Sequence, residues 1–288
     1  ATTGVWGDEQ KITASDRQAN DQFGYSVSIS GDYAIVGARY EDDGGSNAGA
    51  AYIYKRNGTT WGDEQKITAS DRRSYEFFGY SVSLSGDYAI VGAQLENFGG
   101  VNTGAAYIYK RNASGVWGDE QKILASDGQA GARFGDSVSL SGDYAIVGAY
   151  GEFTGNIGSA YIYKRNTTTG VWGDEQKLTV SDAVSGNDFG LSVCLSGDYA
   201  IVGARLEDAS AGAAYIFKRD GTTWSQQQKL TASDKQANDQ FGYSVSLSGD
   251  YAIVGANFED DGGSNAGAAY IYKRNGTTWG DEQKITAS

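Results

Sequence analysis

Short stretches of alternating or continuous apolar residues recur along the chain and predict β-strands. In the first unit, Tyr25–Ser30 alternates with a period of two, which indicates a strand with one buried face. Tyr33–Ala38 is a continuous apolar run, typical of a strand buried on both faces. Ala50–Lys55 predicts a third strand. After the turn signal Asn57-Gly58, the polar stretch Trp61–Thr68 predicts a fourth.

This four-strand unit is repeated along the whole chain. Phe-Gly pairs begin at positions 23, 78, 134, 189 and 241, so successive units lie 55, 56, 55 and 52 residues apart. A fixed period of this size indicates repeated supersecondary units. Within each unit the first strand has small side chains, the next two are apolar and the last is charged. This order fits strands a to d of a propeller blade, which run from a crowded axis to a solvated rim.

We therefore predict an all-β fold, a β-propeller of five four-stranded antiparallel blades with a surplus outer strand at one terminus. Residues 1–288 form one closed domain, in which 1–22 supply an N-terminal outer strand and linker. The blades are expected at about 23–70, 78–126, 134–181, 189–233 and 241–288. Six outer-strand segments serve five blades, and which terminal segment completes the last blade stays open. The surplus strand could also add to a neighbouring molecule's sheet.

Composition excludes several classes of function. The formal net charge of −13 repels phosphate backbones and anionic lipid surfaces, so no nucleic-acid partner is expected. No apolar run approaches about 18 residues, so no membrane insertion is expected. The lone Cys194 stands where other units carry Ser, which favours a small core residue over a reactive thiol.

The units also resemble a known family. The third reads Phe134-Gly-Asp-Ser-Val138, then Gly142–Ala149, then Gly158–Ile162. This pattern resembles the FG-GAP repeats of integrin-α-like propellers and of many microbial surface proteins. The resemblance implies a propeller and an extracellular or cell-surface location. Many relatives carry an Asp-rich calcium loop between strands a and b, but Ser30–Tyr33 is too short to supply 6–8 oxygen ligands.

The loops between strands b and c, and between d and the next a, differ from unit to unit, whereas the a–b and c–d turns hardly vary. We predict that this variable loop face binds a protein or a glycan; drift of unconstrained loops is the alternative explanation of the variation. A glutamate nevertheless recurs three residues after each Gly-Ala: Glu41, Glu96, Glu152, Glu207 and Glu259. These carboxylates could bind a ligand, or each could accept backbone N–H bonds and fix its own loop.

Three further sets of residues are candidates. Aromatic side chains of the same loops could stack on sugars or pack on a neighbouring blade: Tyr40, Phe98, Tyr150 and Phe258. Loop aspartates could hold calcium or simply be solvated: Asp42, Asp43, Asp260 and Asp261. Asparagines of the c–d hairpins begin glycosylation sequons, although turn geometry alone also favours Asn there: Asn57, Asn112, Asn166 and Asn275. Apart from this calcium hypothesis, no cofactor is predicted.

Catalysis has little chemical basis in this sequence. The chain has no His, which excludes a Ser-His-Asp triad and a histidine metal ligand. We expect a non-catalytic, adhesion-type scaffold outside the cell or at its surface. A self-associating structural array, joined by exchange of the surplus strand, is the alternative. The third hypothesis is a carbohydrate-active enzyme that uses loop carboxylates.

Overall fold

The computed structural model describes residues 9–97, 102–151, 157–182 and 184–287. These residues form five separate four-stranded sheets, each built from four consecutive antiparallel strands. The prediction of an all-β fold with five four-stranded blades is therefore confirmed. None of the described helical residues forms a helix long and apolar enough to cross a membrane.

The strands follow one another along the chain with the same pattern in every blade. Blade 1 holds β1 (Phe23–Ser30), β2 (Tyr33–Ala38), β3 (Ala50–Asn57) and β4 (Thr60–Ile67). Blade 2 holds β5 (Ser81–Ser85), β6 (Tyr88–Ala93), β7 (Ala105–Arg111) and β8 (Trp117–Ile123). Blade 3 holds β9 (Val138–Ser141), β10 (Tyr144–Ala149), β11 (Ser159–Arg165) and β12 (Trp172–Leu178). Blade 4 holds β13 (Val193–Ser196), β14 (Tyr199–Ala204), β15 (Ala213–Asp220) and β16 (Thr223–Leu230). Blade 5 holds β17 (Phe241–Ser248), β18 (Tyr251–Ala256), β19 (Ala268–Asn275) and β20 (Thr278–Thr286).

The one helical segment of the described chain, α1 (Glu207–Ser210), lies in the b–c loop of blade 4. Asp208 and Ala209 have φ values of 51° and 56°, outside the right-handed helical region. The segment is therefore a turn rather than a regular helix.

The hydrophobic core lies between neighbouring blades. Tyr33 and Ile35 of blade 1 belong to the same buried cluster as Val82 and Leu84 of blade 2. Close backbone approach needs glycine at these interfaces: a Cβ on Gly92 would lie 1.9 Å from the carbonyl oxygen of Gly135 in the next blade. Blades 1 to 4 are therefore each stabilised by the blade that follows, as expected for a repeat array.

The expected closure of the ring is not observed between blades 5 and 1. Val27 of β1 is 67% exposed, whereas Val82, at the same position of blade 2, is 8% exposed. Ile253 of β18 is 40% exposed, whereas its counterpart Ile201 is fully buried. Two sheet faces are thus left without a blade against them. We call them the leading face of blade 1 (Val27, Ile29 and Trp61) and the trailing face of blade 5 (Tyr251, Ile253 and Ile285).

The two terminal outer strands have different positions. β20 pairs with β19, with Tyr270 opposite Lys284, so the C-terminal strand completes blade 5. Residues 9–15 instead lie against β4 of blade 1. There the Gln10 side-chain amide donates to the backbone oxygen of Trp61 at 2.6 Å and accepts the Trp61 N–H at 2.7 Å. The surplus segment is therefore the N-terminal one.

Cys194 lies half-buried between blades 4 and 5. Its Sγ accepts the backbone N–H of Leu247 at 3.3 Å. Ser139 accepts the N–H of Leu195 in the same way one blade earlier, at 3.1 Å. Cys194 thus fills a structural serine position.

Candidate functional site

The recurring loop glutamates are bonded to a lysine of the outer strand. Glu41 is buried, and its Oε1 accepts a hydrogen bond from Lys66 Nζ at 2.8 Å. The same Lys66 Nζ donates to Asp16, in the linker before blade 1, at 2.6 Å. The equivalent ion pairs of other blades are Lys122–Glu96, Lys229–Glu207 and Lys284–Glu259. Glu152 lies outside the described residues.

This lysine joins three parts of the blade. Lys66 stands on β4 opposite Tyr52 of β3, and the Tyr52 hydroxyl donates to Asp16 at 2.8 Å. Glu41 comes from the b–c loop and also accepts the N–H of Asp43 at 3.0 Å. The network thus fixes the outer strand, the linker and the b–c loop together. Glu41 therefore has the backbone role that the sequence predicted. Its main partner, however, is Lys66, the last residue of the outer-strand sequence Trp-Gly-Asp-Glu-Gln-Lys.

The pKa values follow from this arrangement. Burial raises the pKa of Glu41. Burial also opposes the charge of Lys66, but hydrogen bonds to Asp16, Asp43 and Glu41 outweigh it and raise the lysine pKa. For Asp16, the bonds from Lys66 and Tyr52 outweigh the effect of burial and lower the pKa.

Among the described residues, two groups of carboxylates could hold a metal ion: Asp16, Glu41 and Asp43, and Asp234, Glu259 and Asp261. In the first group, Lys66 Nζ lies 2.6 to 2.8 Å from an oxygen of all three residues. The ammonium therefore already supplies the cation that the carboxylates need, and Ca²⁺ would have to displace it. Asp42 and Asp260 are exposed and belong to neither group. Calcium binding at these loops stays a prediction.

The loop aromatics differ in what they contact. Tyr40 packs against Phe77 of the next blade's linker with ring centroids 5.2 Å apart. Tyr150 is buried and accepts a hydrogen bond from Arg133 at 2.7 Å. Phe258 is exposed, and Phe98 lies outside the described residues. Of the described candidates, Phe258 is therefore the ring most available to a ligand.

The sequon asparagines are exposed on the c–d hairpins. Asn112 Oδ1 accepts the N–H groups of Ser114 and Val116, at 2.9 and 3.0 Å. Asn166 Oδ1 accepts two N–H groups of its own turn in the same way. These two side chains thus shape their hairpins, and glycosylation of the four asparagines stays a prediction.

A cleft that sequence reasoning missed lies between blades 2 and 3, on the side of the a–b and c–d turns. It has a volume of about 580 Å³, and Tyr88, Lys110, Asp119, Val171 and Trp172 are among its lining residues. A smaller cleft of about 160 Å³ lies between blades 1 and 2 and is lined by the equivalent residues Tyr33, Lys55 and Trp117. The sequence signal for these clefts is the nearly invariant Gly-Asp-Tyr and Trp-Gly-Asp segments, which supply lining residues. Because these segments hardly vary between units, they indicated a structural role and not a binding site.

The chemistry of the larger cleft is aromatic and polar. Tyr88 and Trp172 meet edge to face, with centroids 5.5 Å apart, and the Arg165 guanidinium lies 4.8 Å from the Tyr88 ring centroid. Trp172 is buried, and its indole N–H has no acceptor among the described residues. Lys110 and Asp119 add one charge of each sign. The cleft thus offers the partly exposed Tyr88 ring and hydrogen-bonding charges, whereas the unpaired Trp172 N–H is buried beneath it.

Comparison with known proteins assigns the repeat. The model of the FG-GAP repeat matches residues 6–54, 61–109, 117–163, 172–217 and 224–272. The chain belongs to the FG-GAP repeat family. Each FG-GAP match begins at an outer-strand segment and ends in strand c, so residues 6–15 fall within the first match and β20 follows the last. No relative was found among curated proteins.

Solved structures share the fold of this FG-GAP chain. A search found 208 matching chains. One is the crystal structure of a proposed 6-phosphogluconolactonase from Bacteroides fragilis, with a TM-score of 0.58 and 10% sequence identity. The match covers 90% of this chain and 70% of that one. At this identity the likeness shows the fold alone.

Proposed function

We propose that this FG-GAP propeller is a non-catalytic scaffold that binds glycans through the clefts between its blades. The observation that carries the proposal is the cleft between blades 2 and 3, where Tyr88, Trp172, Lys110 and Asp119 line about 580 Å³. That volume falls in the range of about 300–1,000 Å³ usual for small-molecule sites. The partly exposed Tyr88 ring, with Lys110 and Asp119 beside it, suits a sugar, which has apolar C–H faces and a hydroxyl edge.

The repetition of the aromatic pair that borders the cleft supports an adhesive role. Tyr-Trp pairs join four consecutive interfaces: Tyr33–Trp117, Tyr88–Trp172, Tyr144–Trp224 and Tyr199–Trp279. Several weak sites on one rigid scaffold raise the affinity for a repetitive ligand without any new contact. A polysaccharide is such a ligand. The FG-GAP family resemblance supports placement outside the cell or at its surface.

The hydrogen bonds of Glu120, a glutamate of the cleft, support binding rather than hydrolysis. A glycosidase needs an acid and a base free to exchange protons with the substrate. Glu120 accepts hydrogen bonds from the Ser70 N–H, the Ser70 hydroxyl and the Tyr109 hydroxyl, at 2.9, 2.7 and 2.8 Å. Its role is therefore to hold the linker between blades 1 and 2.

A glycan array followed by titration calorimetry tests this proposal. We expect Lys110→Ala and Asp119→Ala to weaken binding of the best glycan about tenfold or more, or roughly 1.4 kcal/mol. Lys273→Ala and Asp281→Ala, measured in dilute solution, are matched controls, because they occupy the same repeat positions in blade 5, where no described blade packs against the trailing face. Equal losses for both pairs, or no glycan bound at all, would reject the cleft. Turnover of chromogenic glycosides would reject the non-catalytic assignment.

A further inference from the structure

The contact between consecutive blades is built from the same pairs of residues at each internal junction. Tyr199 of blade 4 packs edge to face on Trp279 of blade 5 at 5.6 Å, and the Arg274 guanidinium lies 4.6 Å from the Tyr199 ring centroid. In the inner strands, Ser28 accepts the N–H of Leu84 at 3.0 Å, and Ser83 accepts that of Leu140 at 3.0 Å. These contacts show what a trailing face binds: the leading face of another blade.

The trailing face of blade 5 and the leading face of blade 1 carry the two halves of this contact. Neither Tyr251 nor Trp61 has an aromatic partner among the described residues, although the equivalent residues of internal junctions pair with each other. Ile253 and Ile285 are exposed on one face, and Val27 and Ile29 on the other. The two faces are therefore complementary in residue type and in position.

The N-terminal segment covers part of the leading face by occupying the place of an outer strand. At the internal junction, the Gln65 side-chain amide donates to the Trp117 backbone oxygen at 2.6 Å and accepts the Trp117 N–H at 3.0 Å. Gln10 makes the same two bonds to Trp61. The Ser15 hydroxyl donates to Glu64 at 2.7 Å, the same distance as Ser70 to Glu120. Ile12 and Ala14 pack with Tyr52 and Tyr54. Residues 9–15 thus imitate the outer strand of a preceding blade.

Residues 6–15 and 279–288 have the same sequence, Trp-Gly-Asp-Glu-Gln-Lys-Ile-Thr-Ala-Ser. The last outer strand, β20, therefore carries Gln283 and Ile285, the counterparts of Gln10 and Ile12 that the N-terminal segment uses on blade 1. Gln283 is exposed, and its side-chain amide has no hydrogen-bond partner in the described structure. Through Gln283, β20 can make the same pair of bonds to the Trp61 backbone that Gln10 makes.

We propose that the trailing face of one chain binds the leading face of a second copy, and that β20 displaces residues 9–15 of that copy. The four internal junctions show that a trailing face binds the leading face of another blade of this repeat. Because the trailing and leading faces of one chain do not meet, we infer that a second copy supplies the partner. The contact is heterologous, so each copy keeps one free face of each kind and chains can grow head to tail. This assembly goes beyond glycan binding and does not depend on it.

Light scattering of purified variants tests the assembly. The leading-face variant carries Val27→Glu and Ile29→Glu, and the trailing-face variant carries Ile253→Glu and Ile285→Glu. We expect the unmodified chain to grow in multiples of 30.5 kDa as concentration rises. Each variant alone should remain a monomer, and an equimolar mixture should stop at the dimer, because one intact face of each kind remains.

The matched control is Val116→Glu with Val184→Glu, since these valines are 51% and 60% exposed but lie away from both faces. It should assemble as the unmodified chain does, and all variants should show the same unfolding transition. An unmodified chain that stays monomeric up to about 200 μM would overturn the proposal. So would a mixture that does not form the dimer.

Removal of residues 1–15 tests the displacement step separately. Without the segment that competes for Trp61 and Glu64, we expect the dissociation constant of the junction to fall about tenfold or more. If the chains instead assembled by exchanging their N-terminal strands, removal of residues 1–15 would abolish association. Unchanged or weakened association would therefore overturn displacement by β20.

Discussion

Ile201 and Ile253 occupy the same position in two copies of Tyr-Ala-Ile-Val-Gly-Ala, yet one is fully buried and the other is 40% exposed. The difference lies entirely in the neighbour: blade 5 packs against Ile201, whereas no described blade packs against Ile253. Burial in this molecule is thus set by the next repeat and not by the local sequence. The terminal faces are the same surfaces as the interior ones, left without their partner.

The largest difference between the two regions should appear on truncation of this isoleucine. We expect Ile201→Ala to lower the free energy of unfolding by about 2–5 kcal/mol, because it removes buried methyl groups and leaves a cavity. Ile253→Ala should cost less than about 1 kcal/mol. Urea unfolding at low protein concentration measures both, and similar losses would show that Ile253 is packed in solution.

The inter-blade glycine gives the next largest contrast. A Cβ on Gly92 would overlap the Gly135 carbonyl of the next blade, whereas one on Gly255 would meet only the Ser244 hydroxyl, at 2.5 Å. We expect Gly92→Ala to destabilise by about 1–3 kcal/mol or more, and Gly255→Ala by a smaller amount because the serine can rotate. Thermal unfolding compares the pair. Equal shifts in Tm would count against an open trailing face.

The outer-strand glutamine should show a smaller contrast. Gln121 donates to the Trp172 backbone oxygen at 2.6 Å and accepts the Trp172 N–H at 2.9 Å, whereas Gln283 is exposed. Loss of both bonds in Gln121→Ala should cost about 1–2 kcal/mol, and Gln283→Ala should be near neutral. Destabilisation by Gln283→Ala in the dilute monomer would show that β20 already has a partner within the chain.

The linker aspartates should produce the smallest effect, visible as a pH dependence. Burial opposes ionisation of Asp71, but hydrogen bonds from Lys122 and Tyr107 outweigh it and lower the pKa. The stabilisation is therefore present above the unfolded-state pKa of about 3.9 and is lost as pH falls through the lower folded-state value. We expect Asp71→Asn to be less stable than its parent at neutral pH, with the gap closing in acid. A constant gap across pH titrations of Tm would reject this role.

The sequence predicted the repeat, the four strands of each blade and the surplus strand, because alternation, turn signals and period are local properties. It did not predict the partner of Glu41, since Lys66 lies 25 residues away and the two meet only when the blade folds. The cleft at Tyr88 and Trp172 was missed for a related reason: its walls come from different blades. The open junction could not be predicted either, because Val27 and Val82 lie in nearly identical segments and differ only in their neighbours.

The rate of thiol labelling at Val27→Cys and Val82→Cys, each in a Cys194→Ser background, tests the exposure of the leading face most directly. The background replaces the one native thiol by the residue that other repeats carry at that position. In dilute solution we expect the thiol at position 27 to react at least about tenfold faster than that at position 82, because the second reacts only after local opening. Equal protection of the two thiols at low concentration would show that blade 5 covers blade 1 within a single chain, and would contradict the account.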